Sequence, residues 1–291
     1  MHDPTRYFQR QVALDELRGL EYFQSVAWLE SIDSTNKSLA QSVRLNSIEL
    51  PALLIADRQT AGVGRGNNSW WSPSGCLMFS MAVPMVHHFE PDGAPESGQT
   101  VSAMLPLRVG YVVAECLDAI SGESPLVKWP NDVYIASKKT CGILIEVVTG
   151  AVNPVAIIGV GINCHVDFVD CPPELKANAT SLHEWVSADE LERASPENVM
   201  VQFAHHWIEA ERRQSSDPDW LHRNWTKRSM LDRMWVEVKH AAGIAQGLCL
   251  GIQSNGALRI QNERLEVIEV LAGTVQAFRP LASLSETARM E

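Results

Sequence analysis

The sequence predicts an α+β protein: a mixed, largely antiparallel sheet with helices packed on one face of it, followed by a small all-β barrel. Three observations lead there. Apolar runs of strand length, at residues 52–56, 76–83, 141–148 and 154–164, follow one another mostly across short connections, which favours antiparallel or mixed pairing. Residues 101–119 carry their apolar side chains at helical spacing. From about Ser229 the pattern turns to short alternating segments separated by glycine turns, the mark of a second, all-β unit.

In chain order, residues 6–24 place Tyr7, Val12, Leu14, Leu17 and Leu20 at roughly helical spacing, a short leading helix. Residues 25–29 read as a strand. Ser31-Ile-Asp-Ser-Thr-Asn36 opens a second helix with Asp33 or Ser34 as N-cap, and the same Ser, Thr and Asn side chains can equally hydrogen-bond a small polar ligand. Residues 84–100, rich in Pro, Gly, His and acids, read as a surface loop. The helix at 101–119 turns Leu105, Val109, Val112, Val113 and Cys116 inward. Residues 126–135 and 141–148 form strands around a turn at 136–140, and the next strand ends in Gly159-Val-Gly-Ile-Asn163. Residues 187–227 are polar and helical, with Trp207, Ile208 and Trp220 as core candidates. Strands at 235–239, 247–252, 257–261, 265–271 and 273–278 complete the barrel.

The composition is that of a packed globular protein, 45% apolar and 20% charged, and 291 residues suffice for one large domain and one small. No apolar run approaches the ~20 residues that span a bilayer, and Met1-His-Asp-Pro-Thr-Arg6 lacks a signal-peptide pattern. Six cysteines without a CxxC pair read as reduced core thiols of a cytoplasmic protein rather than disulfides or a zinc site. A net charge of −11 argues against generic nucleic-acid binding, and the short stretch before Asp33 leaves no room for a helix-turn-helix head.

The chemistry gathers at Gln59-Thr-Ala-Gly-Val-Gly-Arg-Gly-Asn-Asn-Ser-Trp-Trp, between two strands. Glycines at alternate positions, Gly62, Gly64 and Gly66, surround Arg65. They permit φ > 0 and close backbone approach. Exposed N–H groups with a guanidinium among them make a cradle for phosphate or carboxylate, whereas a plain solvated hairpin would use the same glycines for flexibility alone.

Four stretches, taken together and in order, resemble the biotin protein ligase (holocarboxylase synthetase) family. They are Asp33-Ser-Thr-Asn36; Gln59-x-x-Gly-x-Gly-Arg65; Lys128-Trp-Pro-Asn-Asp132 with Lys139-x-x-Gly-Ile-Leu-Ile-Glu146; and Gly159-Val-Gly-Ile-Asn163 with Ala179-Thr-Ser-Leu182. The resemblance runs from about residue 25 to 278. It implies a class II synthetase-like catalytic domain over residues 1–228 and an SH3-like barrel over 229–291. The implied reaction joins biotin to ATP with Mg2+ as biotinyl-5′-AMP, then passes biotin to a lysine of a biotin carboxyl carrier domain of acetyl-CoA carboxylase or a related carboxylase. DNA and membrane partners are not expected, and monomer and homodimer both stay open.

That chemistry needs no enzyme nucleophile. Two anions must meet while charge builds at phosphorus, so the site needs cations and fixed donors in a dry pocket. By the resemblance, Arg65 and Lys139 hold the biotin carboxylate and the phosphate, with Lys128 as a further cation. Ser34, Thr35, Asn36 and Gln59 hydrogen-bond the ureido ring. Gly62, Val63, Gly64 and Gly142 line the ligand, Trp70 and Asn163 contact adenine, and Asn131 or Asp132 orients a lysine or the metal. Other roles remain open for some of them: Lys128 and Asp132 as a structural ion pair, Trp70 as core.

The loop tail, Gly66-Asn-Asn-Ser-Trp70, looks closer to the eukaryotic form, without the further arginines of bacterial members, and Val63 stands where many members carry Arg or Lys. The expectation is an active enzyme that holds its intermediate less tightly. Rival readings are a lipoate or octanoyl transferase of the same superfamily, whose R-R-x-(S/T)-G-G-G-x-V-x-H motif is absent; a biotin-sensing repressor; and an inactive biotin-binding relative.

Overall fold

Apolar runs bounded by turn residues become strands, and their alternation decides what each face of the sheet carries. The computed structural model describes residues 4–66, 68–85, 103–149 and 153–281. Seven strands, β1 (Ser25–Leu29), β2 (Ala52–Ala56), β3 (Cys76–Pro84), β4 (Leu126–Lys128), β5 (Asp132–Ile135), β6 (Lys138–Val148) and β7 (Val155–Asn163), pair in the order β1-β2-β3-β7-β6-β5-β4. The pairing of β1 with β2 is parallel, across a helical connection; the five others are antiparallel. The mixed, largely antiparallel sheet is therefore as expected.

The helices are α1 (Pro4–Gly19), α2 (Thr35–Arg44), α3 (Met104–Ser121), the single turn α4 (Pro173–Lys176), α5 (Pro196–Ser216) and α6 (Trp220–Asn224). They occupy both faces of the sheet, which corrects the one-face arrangement expected. On β7, Ile158, Val160 and Ile162 pack with Val112, Cys116, Phe203 and Trp207 from α3 and α5. The alternate residues Val155 and Ile157 pack with Leu39, Ala40 and Val43 of α2. Period-2 alternation on strands that are buried almost throughout goes with a sheet covered on both sides.

Two other expectations shift. Residues 126–135 are not one strand but the β4–β5 hairpin, broken at Trp129-Pro130-Asn131, where proline has no N–H for the ladder. In α1 the buried stripe is Ala13, Leu14 and Leu17, while Tyr7 and Val12 are exposed. Most of the surface loop expected at 84–100 lies outside the described residues. All six cysteines are free thiols, five of them buried.

The C-terminal unit is a five-stranded antiparallel sheet of β8 (Met234–His240), β9 (Gly243–Ile252), β10 (Leu258–Gln261), β11 (Val267–Val270) and β12 (Gly273–Pro280), in the order β11-β10-β9-β8-β12. It is consistent with the small SH3-like unit expected. Two contacts fasten it to the main sheet beside the site. Trp129 Nε1 donates to Gly256 O at 3.2 Å, and Arg228–Met230 pair with the exposed edge of β4 through Val127 (2.6 and 2.9 Å).

Candidate active site

A trough in the main sheet exists because three inward positions have no side chain. Gly159 and Gly161 on β7 and Gly142 on β6 share the face that α2 covers, and Gly142 pairs with Gly161. A Cβ on Gly159 would lie 2.2 Å from Asn36 Oδ1, and one on Gly161 2.5 Å from the Trp70 indole. Above this floor the start of α2, the glycine-rich hairpin and β12 enclose a cavity of about 460 Å³.

One end of the cavity is polar. Gln59 Oε1 accepts from Thr35 N (2.8 Å) and lies 3.1 Å from Thr35 Oγ1. Ser80 Oγ sits between Thr35 Oγ1 (2.7 Å) and Asn36 Oδ1 (2.6 Å), and Asn36 Nδ2 donates to Glu146 Oε2 at 2.9 Å. Ser34 is the N-cap residue of α2 by backbone geometry, yet its side chain makes no cap. Its hydroxyl is buried and has no hydrogen-bond partner among the described residues.

The glycine-rich stretch is a short β-hairpin. Gly64 N donates to Asn68 O (2.8 Å), Trp70 N donates to Gly62 O (3.1 Å), and Gly66 takes φ 65°, where glycine carries no Cβ penalty. The Gly64 amide expected to help cradle an anion is thus used within the hairpin, and side chains bring the charge. Val63 and Arg65, two residues apart, both line the cavity.

The other end is cationic. Arg65 Nη1 donates to Asn131 Oδ1 (3.2 Å) and to Gly273 O of β12 (3.3 Å). Asn131 is itself pinned, its Nδ2 donating to Ile143 O at 2.8 Å. Lys139 Nζ meets Asp132 Oδ1 at 2.7 Å and lies 5.8 Å from the centre of the Trp70 ring, which covers the Gly142–Gly161 pair. Asn131 therefore orients the arginine and Asp132 the lysine.

Three expected residues lie outside the lining. Gly62 sits behind it, a Cβ there falling 2.8 Å from Trp70 O. Lys128 lies 5.0 and 5.7 Å from the rings of Phe278 and Tyr134. Burial lowers its pKa, opposed by the Asp132 charge and reinforced by Lys139. The Tyr134 hydroxyl is pushed up to about 12 by burial and by Asp132. Asn163 is buried with its amide engaged: Nδ2 donates to Thr180 O (3.1 Å), and Oδ1 accepts from Cys76 Sγ (3.6 Å). The Ala179–Leu182 stretch acts as a clasp, since Lys139 N donates to Asn178 O and Thr180 N to Lys139 O (2.8 and 3.0 Å), fixing the start of β6 beside the end of β7.

Sequence reasoning missed Thr274 in the lining, and Ser80 behind it, where it bridges Thr35 and Asn36. Ser80 had a signal, a single hydroxyl inside an apolar strand. Thr274 had none, because only the tertiary fold brings β12 to the cavity.

A sheet-borne trough with hydrogen-bonding groups at one end and cations at the other is suited to a polar molecule and an anion held together. Among the described lining residues no histidine stands beside a serine or cysteine to make a nucleophile. Residues 28–163 match the model of the Biotin/lipoate A/B protein ligase family. It is 35% identical over 164 residues to the bifunctional ligase/repressor BirA of Escherichia coli, covering 55% of this chain and 46% of that one. It is 32% identical over 150 residues to the biotin–[acetyl-CoA-carboxylase] ligase of Mycobacterium tuberculosis, covering 51% of each chain. The matches thus span about half the length of these two curated relatives. Among solved structures, the biotin protein ligase of Aquifex aeolicus in complex with biotin and ATP aligns over 89% of this chain and all of its own, with a TM-score of 0.70 and 28% identity.

Proposed function

We propose that the protein is an ATP-dependent biotin protein ligase that forms biotinyl-5′-AMP and passes the biotin to a lysine of a carboxyl carrier domain. The observation that carries this reading is the polarity of the cavity. Ser34, Thr35, Asn36 and Gln59, with Ser80 bonded behind Thr35 and Asn36, form a neutral donor–acceptor cluster suited to a urea, and Arg65 and Lys139 stand at the other end, suited to a carboxylate and a phosphate. A lipoyl or octanoyl chain would leave that neutral cluster without partners, which disfavours the transferase alternative.

In the first step a biotin carboxylate oxygen bonds to the α-phosphorus of ATP and the bond to pyrophosphate breaks. Arg65 and Lys139 offset the repulsion of the two anions and the charge growing at phosphorus. In the second step the carrier lysine amine bonds to the acyl carbon, the bond to AMP breaks, and the amine loses a proton. Magnesium fits this site only as the companion of ATP. Asp132 is the one carboxylate among the described lining residues, and one carboxylate plus substrate phosphates is an ordinary setting for that ion. It would neutralise phosphate charge. No group of three or more His, Cys, Asp or Glu side chains elsewhere among the described residues could hold a metal.

The reading places the enzyme in the cytoplasm, in keeping with six free cysteines. No described helix is long and apolar enough to cross a membrane. Residues 1–228 form the catalytic unit and 229–291 a C-terminal unit that adds Thr274 and the Gly273 carbonyl to the site. The test is incubation with biotin, ATP, Mg2+ and an unmodified carrier domain, with detection of biotinylated carrier. Labelling that needs all components is expected, and its absence from folded protein would overturn the reading.

A further inference from the structure

We propose that Glu146 is a positioning residue: it fixes which end of the Asn36 amide faces the ligand, and so makes the polar end of the cavity a receptor for N–H donors. This rests on the reading of that end as the seat of biotin's ureido ring.

An ionised carboxylate accepts hydrogen bonds and donates none. With Glu146 Oε2 at 2.9 Å, the Asn36 group facing it must be the NH2, and the carbonyl oxygen must face the other way. Ser80 Oγ, 2.6 Å from that oxygen, gives it its single proton, and so accepts from Thr35 Oγ1 at 2.7 Å. At the far side Gln59 Oε1 takes the Thr35 backbone N–H, which turns Gln59 Nε2 outward as a donor. The Leu144 carbonyl, 3.5 Å from the same Nδ2, turns the amide the same way at longer range, and the carboxylate is the nearer of the two acceptors that order the row from Asn36 to Thr35. Asn36 is 3% exposed and depends on these neighbours for its hydrogen bonds, and Ser80 is fully buried, while Glu146 reaches solvent on its outer side.

A cyclic urea brings two N–H donors and one carbonyl. The second lone pair of Asn36 Oδ1 can accept an N–H, and the unpartnered Ser34 hydroxyl and Gln59 Nε2 can donate to the carbonyl. With the amide reversed, an NH2 group would face the N–H of the ring, donor against donor. Glu146 would thus decide recognition without touching the ligand.

The test is Glu146→Gln, which keeps size but offers Asn36 either a donor or an acceptor. Calorimetry should show biotin affinity falling ~3–10-fold, the loss of about one hydrogen bond. The KM for ATP and kcat at saturating biotin should stay near those of the parent protein. The double variant Asn36→Asp, Glu146→Gln should recover biotin affinity, because the aspartate can only accept and the glutamine can donate to it; Asn36→Asp alone should lose it. An unchanged biotin affinity in Glu146→Gln would overturn the proposal. So would equal losses for biotin and ATP, which mark a merely structural role, or a double variant no better than either single one. Failure of the parent protein to bind biotin would overturn the functional reading itself, a separate outcome.

Discussion

Replacing Gly159 by alanine perturbs one end of the cavity and leaves the other alone. The added methyl would lie 2.2 Å from Asn36 Oδ1, 2.8 Å from its Cγ and 3.0 Å from its Nδ2, against the ~3.5–4.0 Å of a favourable heavy-atom contact. The Asn36 amide must therefore move by ~1 Å or more. That breaks its bonds to Ser80 (2.6 Å) and Glu146 (2.9 Å) and withdraws it from the ligand. Overpacking of this kind costs ~1–3 kcal/mol, less than the ~5–15 kcal/mol of a typical fold, so the protein should remain folded with a lowered melting temperature. The ligand loses one or two hydrogen bonds of ~0.5–1.5 kcal/mol each, and the resulting ~0.5–3 kcal/mol corresponds to a ~2–150-fold weaker Kd for biotin. Arg65, Lys139 and Trp70 are untouched, and ATP affinity should stay within about twofold. Calorimetry with each ligand separately decides the matter. A biotin Kd unchanged in a folded variant, or a larger loss for ATP than for biotin, would refute the assignment of the polar end.

Three further predictions concern the cationic end. Arg65→Ala removes a charge-assisted contact of ~1.5–3 kcal/mol, so the adenylate should escape ~10–100-fold faster in a stopped-flow chase with the fold retained; unchanged release would exclude Arg65 from the anion. Lys139→Ala should slow biotin-dependent pyrophosphate exchange by ~10²–10³-fold, as when an electrostatic stabiliser is removed, and an unchanged rate would reduce Lys139 to the counter-ion of Asp132. Val63→Arg adds a second guanidinium beside Arg65 on the cavity side of the hairpin. A gain of ~0.2–1 kcal/mol should slow adenylate release with little change in biotin affinity, whereas faster release with a lower melting temperature would mean that Val63 serves as a packing residue there.

What the sequence disclosed depended on how local each signal was. The glycine hairpin with Arg65, the Ser34–Asn36 helix start and the Lys139–Gly142 strand were readable because each motif lies within a few residues and the fold merely brings the motifs together. The second helical face was not readable, because α2 is short and its apolar residues Leu39, Ala40 and Val43 gain meaning only against Ala82, Val148 and Ile157. Asn163 shows the opposite limit. Its place at a strand end pointed toward a ligand, but the Thr180 carbonyl, 17 residues on, claims the amide. Gly273 and Thr274 lie more than 200 positions from Arg65, and no local pattern could have tied them to the loop.

The central proposal is that the cavity joins biotin to a nucleotide. It is tested most directly by mixing the protein with biotin and Mg-ATP, without any carrier, and analysing the bound fraction by mass spectrometry. Biotinyl-AMP should co-purify with the parent protein, with one pyrophosphate released for each adenylate, and should be nearly lost in Lys139→Ala. Folded protein that binds both ligands and yields no adenylate would contradict the account.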